Sequence, residues 1–210
     1  MRAPLPRLHA ITDERIARRP DLDRLAADLA GAGGSLAIHA RGRSLSGLEH
    51  FNLAIRLSAT IRESSRAHPP VRLFVNDRLD VALAARAAGV QLTGSSLPPE
   101  AARRMDADWW IGRSVHSLQE AQSAQAEGAE YLLAGPVFET PTHPGGEPLG
   151  VEGLRDIVRL GSPVIAIGGV TALRAGDLHR AGVYGVAAIR ALWDAPRPAA
   201  AARDLLEVFA

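Results

Sequence analysis

Two residue types are missing from this 210-residue chain: it has no cysteine and, because all 24 of its basic residues are arginine, no lysine. Without lysine there is no internal amine for a Schiff base with a carbonyl substrate or pyridoxal phosphate, and no lysine to cradle a nucleotide phosphate. Without cysteine, thiol nucleophiles, disulfides, iron-sulfur clusters and most structural zinc sites are excluded. Arginine throughout, with abundant alanine, is the compositional mark of a GC-rich genome. A strong net charge is also lacking: the formal value is +1 and the isoelectric point about 8.4. Arginine is spread along the whole chain with no basic tail, so a nucleic-acid partner is not expected. No run approaches the roughly 20 apolar residues that cross a bilayer, and the start, MRAPLPRLHAITDE, lacks the apolar core of a secretory signal. No membrane partner and a cytoplasmic location are the resulting expectations.

What is present is the balance of a globular protein with a sizeable core, 47% hydrophobic and 22% charged residues. No Pro/Gly-rich linker or low-complexity block divides it, so one domain is expected over residues 1–210. Short β-prone apolar segments alternate with segments of helical spacing, separated by Gly, Asp, Ser or Pro. The strands are expected at residues 7–12, 35–39, 71–75, 89–92, 109–112, 131–134, 163–167 and 185–189. Between them, Leu48, Phe51 and Ile55 share one helical face. Residues 117–127 open on a Ser-Leu-Gln-Glu capping box and close at Gly128, and Leu205, Leu206 and Phe209 form a final apolar stripe. Eight strands alternating with helices predict an α/β fold, a single (β/α)8 TIM barrel. The competing open doubly wound sheet would carry a glycine-rich fingerprint after its first strand, where this chain has Thr12-Asp13-Glu14.

In such a barrel, chemistry sits at the C-terminal strand ends. There the chain offers His39, Arg41 and Arg43 after the second strand, Asn76 and Asp77 after the third, and Ser114 and His116 after the fifth. His39 and Arg41 share one face of the second strand, about 7 Å apart. A cationic fork of Arg41 and Arg43 suits a carboxylate or phosphate, although loop arginines are also commonly just solvated. His39 reads equally as a hydrogen-bonded rim histidine or a catalytic one. Asp77 and Asp80 flank Arg78 as a salt-bridge pair, or Asp77 holds a metal. Gly168 and Gly169 after the seventh strand, with the backbone of Ile189 and Arg190 after the eighth, form the usual phosphate site of these barrels. The long loop after the sixth strand, with Thr140, Thr142 and His143, has the composition of a lid.

At these residues the chain resembles the thiamine phosphate synthase/TenI superfamily. The resemblance runs over nearly the whole length and is most specific at Leu8-His9-Ala10-Ile11-Thr12-Asp13, residues 38–44, Ile111-Gly112-Arg113-Ser114-Val115-His116-Ser117, Gly135-Pro136-Val137-Phe138-Glu139-Thr140 and residues 163–169. It implies a (β/α)8 barrel in thiamine biosynthesis and a phosphorylated thiazole as ligand. Two activities follow from it. The first expectation is the TenI-like thiazole tautomerase, which moves a proton and needs no metal cofactor. The alternative is thiamine phosphate synthase, which joins hydroxymethylpyrimidine diphosphate to the thiazole phosphate and uses Mg2+. A third reading is a non-catalytic thiazole-phosphate-binding protein.

The synthase pattern of Gln, Arg and Lys falls on His39, Arg41 and Arg43. Its Asn-Asp pair falls on Asn76 and Asp77, its second metal-binding Asp on Ser96, and its lid residues on Thr140, Thr142 and His143. The tautomerase acid/base histidine falls on Pro136, so His116, His143 or His39 would have to move the proton, an imidazole being suited to this near neutral pH. In that scheme Arg41 binds the substrate carboxylate, and Arg43, Asn76, Ser114, Thr140 and Thr142 complete the binding site. Gly168, Gly169, Ile189 and Arg190 hold the phosphate, and Asp77 is a metal ligand only in the synthase. Assembly into a homo-oligomer stays open.

Overall fold

The computed structural model describes residues 2–64, 70–140 and 147–210. Eight parallel strands close in sequence order into one barrel: β1 (Leu8–Ile11), β2 (Leu36–Ala40), β3 (Arg72–Asn76), β4 (Gly89–Leu92), β5 (Trp110–Val115), β6 (Tyr131–Ala134), β7 (Val164–Ile167) and β8 (Gly185–Ala188). Helices fill the connections: α1 (Glu14–Ala17), α2 (Leu22–Ala30), α3 (Gly47–Ser64), α4 (Leu79–Ala84), α5 (Pro99–Met105), α6 (Leu118–Ala126), α7 (Gly150–Val158), α8 (Ala172–Arg180), α9 (Arg190–Trp193) and α10 (Pro198–Val208). This is the expected (β/α)8 barrel. Half of the expected capping box is present: Ser117 Oγ accepts from Glu120 N at 3.1 Å, but the Glu120 carboxylate accepts from His116 N, one residue before the cap, at 2.7 Å; Gly128 follows the helix at φ +88°. No helix of the described residues is long and apolar enough to cross a membrane.

Both faces of each strand are buried, as a barrel wrapped in helices requires. Alternation sends Leu8, Leu36, Ile38, Leu73, Val75, Val90, Leu132 and Val186 outward against the helices. It sends Ile11, Ala37, Phe74, Tyr131, Leu133, Ile165 and Ala187 into the barrel. The interior also takes polar residues, His9, His39, Asn76 and Gln91, all buried. Volume is balanced at Gly112, which pairs with Gln91 on one side and Tyr131 on the other. A Cβ there would lie 2.1 Å from Tyr131 Cζ and 2.5 Å from Gln91 Oε1, so only glycine leaves room for both large neighbours.

Candidate active site

The C-terminal ends of the strands surround a cavity of about 540 Å3, within the usual size of small-molecule sites. At its β2 edge, Thr12 Oγ1 is 2.8 Å from both the amide and the carbonyl oxygen of Arg41 and 3.0 Å from the carbonyl oxygen of His39. This one side chain ties the end of β1 to the backbone that presents Arg41. Arg41 and Arg43 line the cavity, as does Arg190 on its far side. Among the described residues none of these three guanidinium groups has an ion-pair or side-chain hydrogen-bond partner, whereas Arg15, Arg19, Arg56 and Arg78 are all matched to aspartates. Burial, and then the neighbouring Arg43 charge, lower the Arg41 pKa from its ordinary value. Among the described residues no carboxylate lines the cavity; Asp77 stands just outside the lining, and with Glu14 and Asp13 it acts on Arg41 from there, offsetting part of the lowering. Cations without an ion-pair partner around such a lining make an electrostatic sink for a multiply charged anion.

Two polar groups of the cavity floor are held from below. Gln91 Nε2 donates to Ser114 Oγ at 3.0 Å, which leaves the Ser114 hydroxyl proton for a ligand. Asn76 reaches the cavity with its amide against His39 Nδ1 at 3.0 Å, and His39 Nε2 is 2.8 Å from His9 Nδ1. Burial pushes the His39 pKa down to about 4. It pushes that of His9 well below the ordinary value, with His39 adding to the effect.

The opposite wall is built from β6, β7 and β8. Gly168 and Gly169 both adopt positive φ, +98° and +66°, a conformation glycine takes without steric cost. The first also has Pro136 Cα only 2.6 Å from where a Cβ would stand. This turn is stitched to the β6 loop by Val137 N donating to Ile167 O at 2.8 Å and Phe138 N donating to Gly168 O at 3.1 Å. Beside it, Ile189 caps α9; Leu192 N and Trp193 N donate back to Ile189 O, while the amides of Arg190 and Ala191 precede the first helical bond and so suit phosphate oxygens. Arg174 donates to Gly169 O at 2.8 Å and lies 4.5 Å over the Phe138 ring. His116 donates from Nδ1 to Gly135 O, which fixes its tautomer and leaves Nε2 as the acceptor in a residue that lines the cavity.

A sequence model described as thiamine monophosphate synthase matches residues 8–192. The chain belongs to that family. It is 37% identical over 203 residues to the thiamine-phosphate synthase of Pyrococcus furiosus, covering 96% of this chain and 94% of the relative. It is also 37% identical over 201 residues to that of Chloroflexus aurantiacus, covering 95% and 90%. A solved thiamine phosphate pyrophosphorylase from Pyrococcus furiosus superposes with a TM-score of 0.81 at 35% identity over 97% of this chain and 95% of that one. These names favour the synthase alternative over the tautomerase expectation placed first from the sequence, and Pro136 on the cavity wall, where a tautomerase would carry histidine, agrees with them.

For a thiamine monophosphate synthase family member the fit of a magnesium ion rests on Asp77. Its backbone adopts φ +60°, and its Oδ1 accepts from Thr93 N and Thr93 Oγ1, both at 2.9 Å, and from Ser96 Oγ. Ser96, at the second carboxylate position of the family pattern, thus donates a hydrogen bond to Asp77 instead of offering a second carboxylate. Oδ2 has no hydrogen-bond partner among the described residues, and no group of three metal-binding side chains is found there. One carboxylate oxygen fits a magnesium ion whose other ligands are phosphate oxygens and water. The alternative role of Asp77 as a partner of Arg78 is not what the structure has: Arg78 Nε donates to Asp80 Oδ1 at 2.9 Å.

Of the residues singled out from the sequence, Arg41, Arg43, Asn76, Ser114, His116, Thr140, Gly168, Gly169, Ile189 and Arg190 all line this one cavity. Thr142 and His143 lie outside the described residues. His39 does not line it; as a direct acid or base it is displaced, because its ring is sealed in the barrel between His9 and Asn76 and stacked on Phe74 at 5.1 Å. Sequence reasoning missed Arg174, Thr12 as a clamp, and the supporting pair His9 and Gln91. His9 and Gln91 were detectable as polar residues at inward strand positions; Arg174, on a helix, gave no signal.

Proposed function

We propose that this chain is a thiamine phosphate synthase that joins hydroxymethylpyrimidine diphosphate to a thiazole phosphate and releases diphosphate. The observation that carries the reading is the set of guanidinium groups without an ion-pair partner, Arg41, Arg43 and Arg190, on a cavity with no carboxylate among its described lining residues. In the reaction the bond from the pyrimidine methylene carbon to the diphosphate oxygen breaks with its electron pair leaving on diphosphate. The thiazole nitrogen lone pair forms the new carbon-nitrogen bond. Negative charge therefore builds on the leaving group, and preorganised cations there lower the barrier. Arg41 and Arg43 would hold the diphosphate, with the Ser114 hydroxyl as a further donor. The Gly168–Gly169 turn, the start of α9 and Arg190 would hold the thiazole phosphate on the opposite wall. Magnesium, bound through Asp77 and the diphosphate oxygens, would supply further neutralisation of the leaving group. A cytoplasmic location belongs with this reading.

A second reading is favoured by one observation. His116 Nδ1 is committed to Gly135 O, so its Nε2 is a base available at the cavity for the proton shift of a thiazole tautomerase. A paired assay separates the readings. Diphosphate release dependent on both substrates and stimulated by Mg2+ supports the synthase. Metal-independent conversion of the thiazole carboxylate tautomer, without diphosphate release, replaces it with the tautomerase; tight thiazole phosphate binding with neither turnover leaves a binding protein.

A further inference from the structure

The buried histidine pair carries information about the substrate because its hydrogen bonds have only one consistent polarity. His9 Nε2 is 3.1 Å from the carbonyl oxygen of Pro6, which can only accept, so His9 carries its proton on Nε2. Neutral His9 then has a lone pair on Nδ1, and His39 Nε2, 2.8 Å away, must donate to it. Neutral His39 is left with a lone pair on Nδ1, and the Asn76 amide atom 3.0 Å from it must be a donor. The end of the amide that meets His39 is therefore its NH2 and not Oδ1; the two ends are nearly identical in shape, and the hydrogen-bond network decides between them.

Neutrality follows from the surroundings. Both rings are fully buried, Phe74 and Tyr131 pack on them, and among the described residues no carboxylate hydrogen-bonds to either. The nearby charge that acts on His39, Arg41, opposes a second cation. An imidazolium here would be an unmatched buried charge.

We infer that His9 and His39 are positioning residues that turn the Asn76 amide so that its NH2 faces His39 and its carbonyl oxygen faces the cavity, as an acceptor for an N–H or O–H group of the ligand. The carbonyl oxygen, an acceptor only, cannot pair with a phosphate oxygen; those are met by the arginines. The subsite therefore selects a donor-bearing ring. Under the synthase reading, on which this identification of the ligand rests, the donor is the amino group of the pyrimidine.

The polarity is read directly by long-range 1H–15N correlation on histidine-labelled protein at neutral pH. Both His9 and His39 are expected as neutral Nε2–H tautomers; a Nδ1–H or cationic His39 overturns the inference. His9→Phe keeps a ring but removes the acceptor that orients His39. Its expected effects are loss of the pure Nε2–H form at His39 and a roughly three- to tenfold weaker affinity for 4-amino-5-hydroxymethyl-2-methylpyrimidine, the worth of one neutral hydrogen bond. Affinity for inorganic phosphate should stay within about twofold, which also reports that the barrel is folded. Unchanged pyrimidine affinity in a folded His9→Phe protein overturns the inference, and where that variant fails to fold the wild-type tautomers decide alone. If wild-type protein shows the expected tautomers but no affinity for the aminopyrimidine, the positioning role stands and the synthase reading falls.

Discussion

Replacing Arg41 by Met should weaken diphosphate binding by about two orders of magnitude while leaving the fold as stable as before, or more so. The guanidinium is half-buried, depressed in pKa by that burial and by Arg43, and without an ion-pair partner among the described residues. In the free protein its charge is therefore a cost, and an unbranched apolar side chain of similar length removes that cost while preserving the packing of its stem. The expected stability change lies between zero and a gain of about 1 kcal/mol, or roughly 2–4 °C in melting temperature for a chain of this size. On the binding side, two charge-assisted hydrogen bonds to diphosphate oxygens are lost. At roughly 1.5 kcal/mol or more each they amount to about 3 kcal/mol, roughly a hundredfold in affinity. Arg41→Lys keeps the charge but not the fork, and should fall in between.

Isothermal titration with inorganic diphosphate and thermal unfolding, run on Arg41→Met beside Arg78→Met, test both halves. Arg78 is paired with Asp80 and does not line the cavity, so its substitution should leave diphosphate affinity unchanged. If Arg41→Met melts well below the parent and binds diphosphate within about threefold of it, the arginine is structural. The reading of the cavity as an anion sink then fails.

Other consequences can be measured separately. Gly112→Ala forces a methyl group against Tyr131 and Gln91 and should cost about 3 kcal/mol, roughly 6–12 °C in melting temperature; the double variant with Tyr131→Leu should recover much of this, and an additive loss would contradict the proposed crowding. Ser96→Asp places a second carboxylate beside Asp77, so its melting temperature without metal should drop by a few degrees, for roughly 1 kcal/mol of like-charge repulsion, and recover in Mg2+; a Mg2+ response equal to that of wild type would refute the single-carboxylate account. His39 is neutral when folded, with a pKa near 4 against an ordinary 6.5. Its native state thus binds fewer protons than the unfolded chain between those values, so its contribution is complete above pH 6.5 and is lost as pH falls through 6.5 toward 4. The loss amounts to about 3 kcal/mol. Denaturant unfolding at pH 7 and pH 4.5 should show it, and His39→Gln should flatten the difference; an unaltered slope in that variant would assign the acid sensitivity elsewhere.

How much of this was legible in the sequence depended on whether a feature is set by one strand or by several. Strands β4 and β6 match their expected limits because one opens on Gly89 and the other stops before Gly135-Pro136. Strand β5 runs on to Val115, three residues beyond expectation. Gly112, Arg113 and Ser114 have poor strand composition, and pairing with Tyr131, Leu132 and Leu133 holds them in the sheet. The same distinction divides the site. That Arg41 points to the cavity follows from parity along β2, and so does the inward direction of His39. Parity cannot say how deep an inward residue lies. Depth comes from the stagger of the barrel, in which Ile11 pairs with His39 and His39 with Phe74. This puts His39 one layer below Arg41, among aromatic rings rather than at the mouth. A histidine one layer down has no ligand to reach and acts only through the residue above it, and the register makes that residue Asn76.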